Sequence, residues 1–211
     1  MGEHGAAARG HWDESNRELV AIIRDRIAAE GRITFAAFME LALYHPAHGY
    51  YRSASPRAGR AGDFITAPEA HAIFGHTLAR KLAALWRRLD RPDPFTLREY
   101  GAGAGTLALA ILDGLRADGD ELLAAIRYEP IEINAARRAE LAERLTAAGF
   151  ADRLHDPEPG QPITGCVLAN EFIDAFPVHR VTVRDGVLHE LYVVWRDGWF
   201  ADELGPLSTP A

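Results

Sequence analysis

Apolar positions recur along this chain in two rhythms, and the rhythms divide it. From Glu18 to Glu30, Leu19, Ile22, Ile23 and Ile27 return at steps of three and four, which predicts an amphipathic helix stopped by Gly31. A second helix is predicted from Thr34, with Phe35, Phe38, Met39, Ala42 and Leu43 on one face and His45-Pro46 at its end. These two helices read as an N-terminal arm. The following stretch, HGYYRSASPRAGRAGDFITAPEA, is rich in Gly, Pro, Ser and Arg and reads as a long loop. A third helix, roughly Ala70 to Leu89, should present Ile73, Phe74, Leu78, Leu82, Leu85 and Trp86 together.

From Phe95 the pattern changes to strand, turn and helix. TLREY is a short strand, GAGAG a tight turn and TLALAILDGLRADG a helix; AIRYEPIEI is the next strand, NAARRAELAERLTAAG the next helix, and PITGCVLAN a third apolar strand. Near-continuous apolar strands alternating with helices predict an α/β fold whose parallel sheet is covered on both faces. After Pro177 the alternation has a period of two, broken by Asp185-Gly186 and Asp197-Gly198, which predicts antiparallel hairpins over residues 178–200. The expected division is an arm with its loop over 1–94 and a sheet domain over 95–211, the hairpins being an insertion or a sheet edge.

Composition narrows the class. At 48% hydrophobic and 25% charged residues, the chain has a globular profile and not a disordered one. Every apolar stretch is interrupted before it reaches about 18 residues, so no membrane insertion is expected. The first 18 residues carry four acidic groups and no apolar signal core, which predicts a cytoplasmic protein. The net charge of −7 is spread along the chain, so nucleic acid is not an expected partner. The nine histidines show no HxxxH or HExxH spacing, so no metal site is expected, and the lone Cys166 reads as a small buried thiol.

Three places carry candidate chemistry. Glu99-Tyr100-Gly101-Ala102-Gly103-Ala104-Gly105 joins a strand to a helix. A glycine turn there lets backbone amides approach a ligand, and the Glu-x-Gly-x-Gly-x-Gly spacing is that of S-adenosylmethionine (SAM) methyltransferases and not of dinucleotide binders. An acid at the end of the next strand would accept from ribose hydroxyls. Glu132 is preferred to Glu129, because Pro130 fits poorly inside a strand. Asn170, Glu171 and Asp174 follow the third strand and form an acidic rim able to hold a guanidinium or ammonium group.

Taken in order, HGYY (48–51), GDFITAPE (62–69), EYGAGAGTLA, IEIN and NEFIDAFPV resemble the MidA-like methyltransferases, whose bacterial and mitochondrial members include arginine methyltransferases acting in respiratory complex I assembly. The resemblance covers Ile33 to about Phe200. It implies a Rossmann-like class I SAM methyltransferase fold with an N-terminal helical arm, SAM as cofactor, and a protein substrate that could be a respiratory-complex subunit. Carried over by residue, Gly62, Asp63 and Thr66 fall in the cofactor loop, Glu99, Gly101, Gly103 and Gly105 in the cofactor turn, Glu132 at the ribose, and Asn170, Glu171 and Asp174 in the motif that orients the acceptor. Family members continue beyond the hairpin region, so the 211 residues are expected to form an incomplete version of the sheet, with an open edge that a second copy could cover. The alternative is a binding or assembly module that keeps the SAM half-site without turnover.

Overall fold

The structure, a computed structural model, describes residues 16–52, 71–158 and 160–210. In chain order these form α1 (Arg17–Glu30), β1 (Ile33–Thr34), α2 (Phe35–Tyr44), α3 (Ile73–Arg88), β2 (Phe95–Tyr100), α4 (Thr106–Ala117), α5 (Leu122–Ala125), β3 (Ile126–Ile131), α6 (Ala135–Ala147), β4 (Gly165–Ala169), β5 (Val181–Arg184), β6 (Val187–Arg196) and β7 (Trp199–Gly205). The chain divides into two compact units, Met1–Ser53 with Ala175–Ala211, and Ala54–Asp174.

The first unit is built on β6. Glu190 pairs with both Val181 and Gly205, and Val193 with both Ile33 and Asp202, so β7 follows one edge of β6 while β5 and β1 succeed each other along the other. The strands expected as an insertion in the sheet domain therefore share a sheet with residues of the arm. Both predicted hairpin turns form, with Asp185, Gly186, Asp197 and Gly198 all at positive φ, the backbone a two-residue turn between twisted antiparallel strands requires. Asn16 caps α1 by accepting from the Leu19 amide, and Thr34 caps α2 by accepting from Ala37. The apolar stripe of α1 (Leu19, Ile23, Ile27) packs with Ile33 and Val193, and Phe38, Trp195 and Phe200 close over them.

The second unit holds the parallel sheet, ordered β3-β2-β4, with β2 in the centre. A single parallel bridge, Tyr128 to Leu154, extends it beyond β3. That bridge also explains Pro130. The Tyr128 carbonyl accepts from His155 on the outer side, so the nitrogen of Pro130, two residues on, points outward too, where no ladder bond is lost.

One face of this sheet carries Phe95, Leu97, Ile126 and Tyr128, packed with α3, α4 and α6 through Leu82, Trp86, Ile111, Leu115, Leu141 and Leu145. The other face carries Thr96, Arg98, Arg127, Glu129 and Val167, the last 59% exposed. The expectation of a sheet covered on both faces is thus corrected: among the described residues, helices gather on one face only. Cys166 is half-buried on β4 and not enclosed, and its partial burial pushes the thiol up.

The expected face of α3 is also corrected. Its buried line runs through Gly75, Ala79, Leu82, Ala83 and Trp86, and Ile73 is left 63% exposed. The cause is a close seam with α4, where a Cβ on Gly75 would come within 2.4 Å of the Ala110 Cβ. Small residues on both helices allow this approach, and the bulkier Ile73 turns out to solvent.

Candidate cofactor site

The second strand to pair with β2 lies on its opposite side from the first, so the chain reverses direction across the sheet between β2 and β4. Ligands of open α/β sheets bind at such a reversal, outside the carboxyl ends of the strands. β2 runs there into the glycine turn, whose three glycines have φ of +70°, +55° and +77° at Gly101, Gly103 and Gly105. This backbone is strained for any residue with a Cβ. The three positions differ in their surroundings. A Cβ on Gly101 would meet the Phe172 ring at 2.9 Å, and one on Gly105 would meet Leu141 at 2.7 Å, whereas one on Gly103 would meet nothing within 4 Å among the described residues. The turn is closed by protein at both ends and open in its middle, which is the shape required of a cradle for a ligand. The Gly101 amide donates to the Ile131 carbonyl at 2.8 Å, fastening the turn to β3.

Glu132 stands just past the end of β3. Its Oε2 accepts from the Gly103 amide and its Oε1 from the Asn134 amide, both at 2.8 Å. Asn134 in turn caps α6 by accepting from the amides of Ala136 and Arg137. The IEIN string therefore fixes an acid against the turn and starts a helix. Glu129 is placed elsewhere, on the sheet face that carries no described helix. It is 4% exposed, accepts from Arg98 at 2.7 and 2.9 Å, and lies 3.0 Å from Arg127 Nε, which is not aligned to donate. A cavity of about 340 Å³ opens beside it, between Thr96, Arg98, Glu158 and Thr164. This is the amino end of the strands, away from the turn.

Glu99 is 3% exposed and directs its side chain to the helix-covered face. The Tyr128 hydroxyl donates to its Oε2 at 2.7 Å. Burial raises the carboxyl to about 7; the bond from Tyr128 works against this and the charge of Glu132 adds to it. Tyr128 is itself raised well above the usual phenol range by burial and by Glu99, so its hydroxyl stays protonated and donates.

On the far side of the reversal, Asn170, Glu171 and Asp174 follow β4, Glu171 and Asp174 exposed and Asn170 half-buried. Glu171 has φ of 47°, uncommon for a residue with a side chain. Phe172, between them, reaches back to Tyr100 with ring centroids 5.7 Å apart and covers Gly101. The structure thus brings Glu99, Gly101, Gly103, Gly105 and Glu132 together and sets the 170–174 turn beside them through Phe172. Gly62, Asp63 and Thr66 lie outside the described residues. The HGYY string closes α2: the amides of Gly49, Tyr50 and Tyr51 return to carbonyls of His45, Ala42 and Leu43.

Two participants escape sequence reasoning. Phe172 sits inside a string read for its polar residues. Tyr128 is signalled only by strand register, which pairs it with Leu97 and so puts it on the face of Glu99. No group of three or more His, Cys, Asp or Glu positioned for a metal occurs among the described residues, and no described helix is long and apolar enough to cross a membrane.

Comparison with known proteins bears on this geometry. A family model described as S-adenosyl-L-methionine-dependent methyltransferase matches residues 77–211. The chain is 32% identical to the Drosophila melanogaster protein named protein arginine methyltransferase NDUFAF7 homolog, mitochondrial, over 86% of this chain and 46% of that protein. It is 39% identical to the Bos taurus protein arginine methyltransferase NDUFAF7, mitochondrial, over 96% and 52%. A COG1565 superfamily member from Burkholderia thailandensis, solved bound to S-adenosyl-homocysteine, superposes with a TM-score of 0.78 at 33% identity, covering 92% of this chain and 51% of that one. The chain spans about half the length of the curated relatives it matches. The expectation of a cytoplasmic location is overturned by these names, which are those of mitochondrial proteins. With its parallel sheet, its glycine turn at the strand reversal and a matching model over most of its length, this chain belongs to the S-adenosyl-L-methionine-dependent methyltransferase family, in the class I α/β fold.

Proposed function

We propose that the chain binds SAM at the glycine turn and serves methyl transfer to an arginine nitrogen of a protein. The observation that carries the reading is the turn itself: three glycines at positive φ, with Gly103 uncovered among the described residues and the Glu132 carboxylate fixed alongside. A carboxylate offers about four acceptor sites. The amides of Gly103 and Asn134 take two of them, and the rest are available to the two ribose hydroxyls of the cofactor. Gly62, Asp63 and Thr66 complete the cofactor loop in this reading. The bound cofactor supplies a methyl already activated by its sulfonium, so the protein's task is alignment and exclusion of water. Glu171 and Asp174 hold the acceptor guanidinium by charge-assisted bonds, with Asn170 orienting one nitrogen. The relatives' names support an arginine acceptor, and the solved neighbour bound to S-adenosyl-homocysteine supports the cofactor.

A respiratory-complex subunit is the first protein substrate to try. A homodimer is proposed from the exposed Val167 on β4, and sedimentation that gives a monomer at all concentrations would remove it.

The test of the main reading is calorimetric titration of SAM into the wild-type chain and into Gly103→Val. The wild type is expected to bind and the variant to lose at least tenfold in affinity, about 1.4 kcal/mol; equal binding by both would remove the turn from the site. Labelled SAM offered with candidate proteins should then leave label on arginine after hydrolysis. Label on lysine would refute the acceptor assignment, and binding without transfer would favour a binding module.

A further inference from the structure

The proposed cofactor exists in two charge states at its reacting centre: a sulfonium cation before transfer and a neutral thioether after it. Glu99 is a buried carboxyl within electrostatic reach of Glu132, whose own carboxylate is bonded to the turn at the Gly103 amide. Its carboxyl lies two residues before Gly101, and its strand neighbours in register are Pro130 and Leu168. Leu107 and Ile111 of α4 and Leu141 of α6, in the core on that face, are apolar. The titratable groups that bear on it among the described residues are Tyr128, from β3, and Glu132, from the end of that strand. Tyr128 is a neutral donor and Glu132 carries like charge. A carboxyl in that setting is held close to the balance between its two forms, which agrees with its rise to about 7.

We propose that Glu99, positioned by Tyr128, reads the charge of the ligand on the glycine turn: it releases its proton to solvent when the sulfonium cofactor binds and retains it when the neutral thioether product binds. The inference rests on the cofactor reading above. Glu99 favours substrate over spent product by charge, and Tyr128, which does not reach the crevice itself, is a positioning residue acting through the carboxyl. Below neutrality, binding of the cation has to expel a proton and is weakened. Above it the carboxylate is already formed and binding is at full strength.

The experiment is calorimetry of wild type, Glu99→Gln and Tyr128→Phe with SAM and with S-adenosyl-homocysteine, from about pH 6 to about pH 8, in buffers of different ionisation enthalpy. Wild type is expected to release more of a proton with SAM than with the thioether, and to bind SAM up to about tenfold more weakly at the acid end, with a smaller change for the thioether. Glu99→Gln should lose that excess release and pH dependence, so that the ratio of its SAM to thioether affinity no longer changes between the acid and alkaline ends. The ligands' own amino groups titrate identically in both proteins, so they cancel in the comparison. Tyr128→Phe should move the midpoint to higher pH, because the carboxylate loses a donor; a merely structural role would leave the midpoint in place. Equal proton release for the two ligands, or release that persists in Glu99→Gln, overturns the inference and leaves the cofactor site standing. Failure of either ligand to bind wild type at any pH overturns the cofactor site, and this inference with it.

Discussion

Glu190 and Glu99 are both buried glutamates, 1% and 3% exposed, one in each unit of the molecule, and their carboxyls are driven in opposite directions. Burial works against the charge of both. At Glu190 it is outweighed: His179 Nδ1 lies 2.8 Å from one oxygen and the Ser208 amide donates to the other at 2.7 Å, which holds the carboxyl below its usual range. At Glu99 one phenol hydroxyl is not enough, and Glu132 adds like charge. Burial sets the cost of a charge, and the partners decide whether the cost is met. In the antiparallel unit the partners lock a carboxylate into structure. Under the glycine turn they leave it poised to change.

The largest expected effect comes from removing the locked acid. Glu190→Leu leaves the Ser208 amide without its acceptor and should cost up to about 3 kcal/mol in denaturant unfolding followed by tryptophan fluorescence. A loss near zero would place Glu190 with ordinary surface pairs and end the contrast. Glu99→Gln should do the reverse and stabilise at alkaline pH. The folded carboxyl is raised above its unfolded value, so its contribution is fully present below about pH 4.3 and is lost as pH rises through about 7. The variant should therefore exceed wild type by on the order of 3 kcal/mol at pH 8 and converge with it near pH 4. Glu190 has the opposite sign. Its stabilisation is present above the ordinary carboxylate value and lost as pH falls through its lowered one, so Glu190→Gln and wild type should converge only in acid. The smallest effect is expected at Arg80, which pairs with Asp118 at 2.8 Å on the surface. Arg80→Ala should leave the unfolding midpoint unchanged within error, which gives the scale against which the buried acids are judged.

Much of this arrangement is legible in the sequence because it is local. Strand–turn–helix punctuation around Gly101 to Gly105, the Asp-Gly hairpin turns and the break after Ile131 that frees Glu132 are all decided within a few residues. What the sequence does not disclose depends on distant partners. Ile73 looks like a core residue of α3 until Gly75 is seen against Ala110, and the two-residue β1 has no pattern of its own until Val193 pairs with Ile33. Leu154 joins the sheet through one bridge, too short for any periodicity to register. That the described helices gather on one face of the parallel sheet was hidden for a related reason: an apolar run on β4 states that a strand is suited to burial and does not state what buries it. Tyr128 and Phe172 act on the site through side chains that register and a turn bring into reach, and neither belongs to a motif that names chemistry.

The central position of β2 has a consequence for how the second unit assembles. Thr96 meets Arg127 after one strand–helix crossover but meets Gly165 only after a second, roughly doubling the loop to be closed, for about 0.6 kcal/mol more in chain entropy. The segment from β2 through α4 to β3 is therefore expected to form before β4 docks. Truncations in β4, such as Leu168→Ala, should then speed unfolding and leave the folding rate nearly unchanged, whereas Leu97→Ala should slow folding. On that expectation, the strand that precedes Asn170, Glu171 and Asp174 is the last of the three to arrive and the first to leave.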